Sequence, residues 1–250
     1  MGPQISPEQF IAEHFFLYLA KGKMEGYDGH KKYKLGPGEY CLVRKNHLAR
    51  YNKQKDNGAF EKVVIVLDEF FLKTYQQRHQ IKGVTPVQTG AFILPQKTNL
   101  IPAFIQSLMP YYAGGSEINN TFANIKREEL LLILLQGSPQ LSNVLFDFGI
   151  PQKIDLEAYM NNNYKFNVSI ERFAYLTGRS LSAFKRDFAS TFGTTPHHWL
   201  IEKRLKEARF LLEKEKQKST DIYLDLGFED LSHFSFAFKK KFGLNPSEVA

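Results

Sequence analysis

From residue 181 onward, apolar side chains return at steps of three, four and four: Leu181, Phe184, Phe188 and Phe192. That spacing places them on one face of an α-helix. Ser182, Lys185 and Arg186 fall on the opposite face. Ser180 stands where a hydroxyl caps the first turn, and Gly193 where a left-handed residue closes the last. The segment before it, Ser169–Leu176, turns Ile170, Phe173, Ala174 and Leu176 inward and is predicted as a shorter helix. The turn Thr177-Gly178-Arg179 joins the two.

Fifty residues later the pattern is written again. Residues 169–196 and 219–246 share nine of 28 positions, among them Phe184/Phe234, Phe188/Phe238, Phe192/Phe242, Gly193/Gly243 and Pro196/Pro246. A repeat of this length is one supersecondary unit used twice. The second copy keeps the seam as Leu231, Phe234, Phe238 and Phe242, with Asp230 in the place of the capping serine. Its outer face differs: Ser232, Ser235 and Phe236, then Lys239, Lys240 and Lys241. Between the copies Pro196 opens a predicted helix reaching Lys214, with Ile201, Leu205, Ala208 and Leu212 as its apolar stripe. At 1.5 Å per residue that rod is roughly 28 Å long, close to the ~34 Å of one turn of B-DNA.

Two short helices joined by a tight turn are the grammar of the helix-turn-helix, whose second helix enters the major groove. An aromatic seam behind and Ser/Lys/Arg in front suit that task, because cationic forks reach base edges and phosphates. The lysine run of the second copy suits phosphate contact, or a solvated face beside the helix dipole. Residues 153–250, through FGTTP, RLKEARFLL and LGFEDLSHFSFAFKKKFGLNPSE, resemble the DNA-binding domain of the AraC/XylS family of bacterial transcription regulators. The resemblance implies a seven-helix domain with two helix-turn-helix units in successive major grooves. It maps base contacts onto Ser182, Lys185 and Arg186, and onto Ser232, His233 and Phe236. Arg179, Ser180, Lys239 and Lys240 complete the expected DNA-binding set. Phe236 departs from the arginine common in the family. The family's final helix runs on past proline-serine, whereas this chain stops at Ala250.

The N-terminal half has a different texture. Phe15–Lys21, Lys31–Leu35, Tyr40–Arg44, Ala49–Tyr51 and Lys62–Leu67 read as short strands, with Gly36-Pro37-Gly38 as a turn. Strands at this spacing suggest a barrel or sandwich. The phrase LGPGEYCLVRKNH is similar to the turn-and-strand phrase of cupin-like sensor barrels. Phe15, Tyr18, Tyr40, Val64 and Val66 are the expected filling of such a barrel, unless it holds a ligand pocket. Residues 98–135 are expected to be helical. Leu100, Ile101, Phe104, Ile105, Leu108 and Tyr112 form one face; Ile118, Phe122 and Ile125 lead into the run Leu130–Leu135. A helix apolar all round is buried on more than one side. The expectation is a homodimer through residues 98–135, with burial inside one chain as the alternative. Pro139 and Gly149-Ile150-Pro151 mark a boundary, giving units 1–149 (helices about 98–148) and 150–250.

The fold class expected is therefore α+β: a cupin-like β-barrel with dimerisation helices, then an all-α domain with two helix-turn-helix units joined by a linker helix. Composition adds constraints. The 250 residues carry a net charge of +7, which hints at an anionic partner. Residues 151–250 hold 16 Lys and Arg against 13 Asp and Glu, so charge is not concentrated there and the DNA reading rests on placement. Cys41 is the single cysteine. It excludes an internal disulfide and the zinc-held cysteine cluster of repair enzymes that share this helix-turn-helix type. His14, His30, His47 and His79 lack the His-x-His spacing of a metal cupin, and His197-His198 diverge on a helix. No Gly-rich phosphate loop or nucleophile elbow occurs. The expectation is a regulator, not an enzyme, without metal or cofactor, binding double-stranded DNA and controlled by a small-molecule or protein effector. MGPQISPEQF lacks a signal-peptide pattern and no membrane span is expected, so the expected location is cytoplasmic.

Overall fold

Alternation along β3 (His14–Lys21) sets the first half of the molecule. Phe16 points to one side and Leu17 and Leu19 to the other, all but inaccessible. The computed structural model describes residues 4–5, 9–82, 85, 87, 89–112 and 119–249. The remaining strands are β1 (Gln4–Ile5), β2 (Phe10–Ile11), β4 (Lys23–Tyr27), β5 (Lys32–Leu35), β6 (Tyr40–Val43), β7 (His47–Leu48), β8 (Arg50–Gln54), β9 (Glu61–Leu67) and β10 (Phe92–Ile93). They form two antiparallel sheets, ordered β1-β8-β4-β5 and β10-β6-β3-β9, and a short β2–β7 pair.

Leu17, Leu19, Met24, Leu35, Cys41, Val43 and Phe92 make one core, drawn from both sheets. The opposite face of the β3 sheet carries Phe16, Tyr40 and Leu42 into a second core with α1 (Glu69–Arg78), α2 (Leu100–Tyr112) and α3 (Asn120–Gly137). A 3-10 turn at Pro139–Leu141 and α4 (Ser142–Leu145) close that layer. The Gly36-Pro37-Gly38 turn lies between β5 and β6 as expected: Gly38 is left-handed at φ +83° and Gly36 N–H donates to Glu39 Oε2 at 2.8 Å. Strand β4 was not expected. Its Gly26 is required, because a Cβ there would stand 2.7 Å from the Phe92 ring.

Two expectations for this half are corrected. Val64 and Val66 do not fill the interior but lie 39% and 47% exposed on β9, the edge strand of its sheet. Phe15 and Tyr18 are only half-buried and attach to different cores. The helices expected within 98–135 are α2 and α3, and Leu130, Leu131 and Leu134 of the run Leu130–Leu135 are buried within the chain. Phe122, Ile125 and Leu132 remain about half exposed. Ile118, the Tyr112 side chain and Ala250 lie outside the described residues.

The C-terminal half is helical: α5 (Leu156–Asn163), α6 (Ile170–Leu176), α7 (Leu181–Phe192), α8 (Pro196–Glu213), α9 (Ser219–Ile222) and α10 (Leu231–Phe242). It has two cores. One joins Leu156, Met160, Phe173, Phe184, Phe188 and Leu200; the other joins Leu205, Ala208, Leu212, Phe228, Phe234 and Phe238. The first core also takes in Phe10 and Leu48 from the β2–β7 pair. Gln9 and Tyr175 strengthen that junction: Asn167 N–H donates to Gln9 Oε1 at 2.9 Å and Tyr175 Oη–H to Asn46 Oδ1 at 3.1 Å.

Candidate nucleic-acid interface

Both outward helices begin and end as their sequences require. Ser180 accepts from the Ala183 N–H, and Asp230 from the His233 N–H at 2.6 Å, each satisfying a backbone donor of the first turn. Gly193 (φ +67°) and Gly243 (φ +78°) close them in the left-handed conformation. Phe184, Phe188, Phe234 and Phe238 are inaccessible. In the first unit Phe188 meets Phe192 at 4.4 Å and the Trp199 edge at 5.7 Å. An aromatic seam packed this way fixes which face each helix presents.

The face left outward on α7 carries Ser182, Lys185 and Arg186, all exposed. Arg186 is 78% exposed and leans on its neighbour Asp187 at 3.3 Å. On α10 the exposed set is Ser232, His233, Phe236, Lys239 and Lys240, with Phe236 70% exposed. The two faces therefore differ in chemistry. The first offers a guanidinium and an ammonium near its start; the second offers an imidazole, a bare aromatic ring and lysines near its end.

Two cations are placed differently from the sequence expectation. Arg179 is buried by the turn, its side chain 8% exposed. Its Nε donates to Asp187 Oδ2 at 3.1 Å, and its Nη1 donates to the carbonyls of Thr177 and Ile154 at 2.7 and 3.0 Å. The guanidinium braces the first turn through its Nε and Nη1. Lys241 points to the linker helix, paired with Glu202, and so leaves the outward lysines of α10. Arg179 holds the Asp187 carboxyl below its ordinary range, and Lys241 does the same for Glu202. Both carboxylates are thus ionised at neutral pH and serve the fold.

The linker helix α8 spans both cores, with Leu200 in the first and Leu205, Ala208 and Leu212 in the second. Its 18 residues make a rod of about 27 Å. Arg204 is a residue that sequence reasoning missed. It is 6% exposed, and donates Nε to the Tyr164 carbonyl, Nη2 to that of Phe166 and Nη1 to that of Gly227, all within 2.9 Å. Burial, with Arg50 nearby, brings its pKa down to about 10, so it stays a cation at neutral pH. The available signal was helical phase: Arg204 follows Ile201 by three and precedes Ala208 by four, on the apolar stripe.

Among the described residues no His, Cys, Asp or Glu cluster of metal-ligating shape occurs. No helix is long and apolar enough to cross a membrane among those residues.

Residues 14–144 match the ExsA N-terminal regulatory domain, and residues 173–250 match the helix-turn-helix domain. The chain is 31% identical to the thermoregulatory protein LcrF of Yersinia pestis, over 98% of this chain and 93% of LcrF. It is 27% identical to the HTH-type transcriptional regulator ExsA of Pseudomonas aeruginosa, over 92% of this chain and 83% of ExsA. Among solved structures, ToxT of Vibrio cholerae aligns over 99% of this chain and 94% of its own, with 14% identity and a TM-score of 0.42.

Proposed function

The chain belongs to the AraC-type family of helix-turn-helix transcription regulators, and from that premise we infer that it recognises paired DNA boxes and activates transcription. In this reading α7 and α10 enter successive major grooves on one face of the duplex. Ser182, Lys185 and Arg186 read bases in the first box, with Ser180 at the helix start. Ser232, His233 and Phe236 face the second box, and Lys239 and Lys240 neutralise phosphates. Arg179 acts from behind by bracing the turn. The observation that carries this reading is the pairing on α7 of an inaccessible aromatic seam with an outward Ser/Lys/Arg face. Names of relatives such as the virulence regulon transcriptional activator VirF of Yersinia enterocolitica support activation over repression.

We further infer that the division between units lies at 149–150, that the protein is cytoplasmic, and that it forms a homodimer. Phe122, Ile125 and Leu132, spaced by three and seven on α3, form an exposed apolar stripe that supports the dimer. The two sheets are read as a cupin-like roll. Its interior is filled by Leu17, Leu19, Met24, Leu35, Cys41, Val43 and Phe92. Clefts of about 390 and 790 Å³ instead lie between the sheets and the C-terminal half. That filling favours control by a docked protein over a small molecule enclosed within the roll.

The test uses the full chain. A duplex enriched by selection from random DNA is titrated against its scrambled counterpart over a range of salt. Tighter binding to the selected duplex is expected, with log affinity falling linearly in log salt. Equal affinity for both duplexes would overturn sequence-specific recognition.

A further inference from the structure

The turn of the second unit, between α9 and α10, is held from two sides by buried arginines. From the linker helix, Arg204 Nη1 donates to the Gly227 carbonyl at 2.9 Å. From the sheet half, Arg50 Nη1 donates to the Asp225 carbonyl at 2.8 Å, with Nη2 3.5 Å from the Asp225 carboxylate. The Arg50 side chain is 11% exposed. Its guanidinium lies 5.1 Å from the Tyr27 ring and 5.9 Å from the Phe166 ring. Those rings stack on each other at 5.7 Å and 15°. The turn itself has no slack against the loop behind it: Gly227 is left-handed at φ +85°, and a Cβ there would stand 2.6 Å from the Lys165 carbonyl oxygen.

We propose that Arg50 is a positioning residue for the second recognition helix: its grip on Asp225 sets the spacing at which the two DNA boxes are read. The proposal rests on the two-box reading above. Arg50 is the place where the regulatory sheet, the loop before the first unit (Phe166) and the turn of the second unit (Asp225) meet. The cation lies against the stacked Tyr27–Phe166 pair and donates to the Asp225 carbonyl beside its carboxylate, so it holds the turn in one place. Leverage follows from length. The 12-residue α10 is about 18 Å long, so a tilt of about 10° at the turn carries its far end ~3 Å, roughly one base-pair step. The first unit is anchored to the sheet half through its core and α6, by Phe10 and Leu48 and by the Tyr175–Asn46 hydrogen bond, while its turn is closed locally, where Gly178 packs on Gln152 and Lys153 and Arg179 donates to the Ile154 carbonyl. Releasing the Arg50 grip would therefore free the second turn while the first unit stays anchored to the sheet half.

The experiment measures binding of the full chain to duplexes that carry both boxes, with the spacer set at its selected length or changed by one or two base pairs, and to a duplex with the first box alone. The wild-type chain is expected to prefer its selected spacing by about tenfold or more. Arg50→Met keeps the packing volume but removes the donors. It is expected to flatten that preference to within about threefold and to leave first-box affinity unchanged within about twofold. Arg50→Lys keeps the charge but cannot reach two acceptors, and is expected to fall between. If Arg50→Met does not fold, Arg50→Lys decides: a folded lysine variant with the wild-type spacing profile overturns the proposal. An Arg50→Met chain with the wild-type profile, or one equally weakened on every duplex including the first box alone, also overturns it. A wild-type chain that selects no second box overturns the two-box reading itself, and this proposal with it.

Discussion

Arg179 Nε donates to Asp187 Oδ2 at 3.1 Å, tying the turn of the first helix-turn-helix unit to the second turn of the helix that leaves it. The same guanidinium serves the Thr177 and Ile154 carbonyls. Arg179→Ala leaves those acceptors without their donor and is expected to destabilise the protein by about 1–3 kcal/mol. Asp187→Asn keeps an acceptor and should cost less. Denaturant melts of the full chain decide this, and an Arg179→Ala chain as stable as wild type would show that the brace carries no load.

Phe188 and Phe238 occupy equivalent places in the two units and are both inaccessible. They belong to separate cores. Each truncation to alanine is expected to destabilise by about 3–5 kcal/mol. Because the sites share no partner, the double variant should show the sum of the single effects within about 0.5 kcal/mol. A loss below about 1 kcal/mol for either would reverse the assignment of faces.

Glu69 opens α1 between two lysines, with its carboxylate 2.7 Å from both Lys45 and Lys73 Nζ. The bonds from Lys45 and Lys73 bring its pKa down from 4.5 to about 2. A depressed carboxylate pKa contributes stability that is fully present above the unfolded value and is lost as pH falls through the folded one. The contribution should therefore be constant above about pH 5 and disappear between about pH 4.5 and 2. Glu69 is partly exposed, so solvent screens the effect. Acid titration of wild type against Glu69→Gln checks it: the two stability curves should converge as pH falls through that window. Curves that stay parallel throughout would rule out the linkage.

The helix-turn-helix units were legible nearly to the residue because three independent signals coincide there. Helical period, a capping Ser or Asp and a terminal glycine all mark the same ends of α7 and α10. The sheet half was legible as strands, but not which face of each strand is buried. Strict alternation names two faces of β9, yet Val64 and Val66 sit on an edge strand where cover is incomplete. Strand β4 was illegible because KMEGY mixes charge with a glycine whose reason, the Phe92 ring, lies 66 residues away in sequence. The buried arginines were missed for a further cause. Sequence reading assigns a cation to the surface, whereas Arg204, Arg179 and Arg50 are satisfied by carbonyls that only the folded chain brings together.

The apolar stripe of α3 makes a second-copy interface testable without DNA. Ile125 and Leu132 are 56% and 54% exposed, so replacing either with glutamate leaves the intramolecular core of Leu130, Leu131 and Leu134 intact. The wild-type chain is expected to sediment at twice its 28.9 kDa mass at micromolar concentration. Ile125→Glu and Leu132→Glu are expected to sediment as folded monomers. A wild-type monomer would remove α3 as a dimer contact.

The two recognition helices should contribute unequally to DNA recognition. Lys185 and Arg186 stand exposed on α7 behind Ser182, whereas the corresponding positions of α10 are Ser235 and Phe236. Bidentate donors to guanine are available at those places only from the first helix. Phe236 offers a thymine methyl an apolar contact that discriminates weakly among other bases. Lys239 and Lys240 add salt-dependent, sequence-blind affinity. Arg186→Ala and Lys185→Ala should each weaken specific binding by about 1–3 kcal/mol and relax the preference at one position. Phe236→Ala should change affinity less, and Lys239→Ala should lower it alike on all sequences. Selection from randomised DNA should then return a sharp first box and, about one helical turn away, a looser, A/T-tolerant second. Two equally sharp boxes, or a sharper second one, would reverse the roles assigned to α7 and α10.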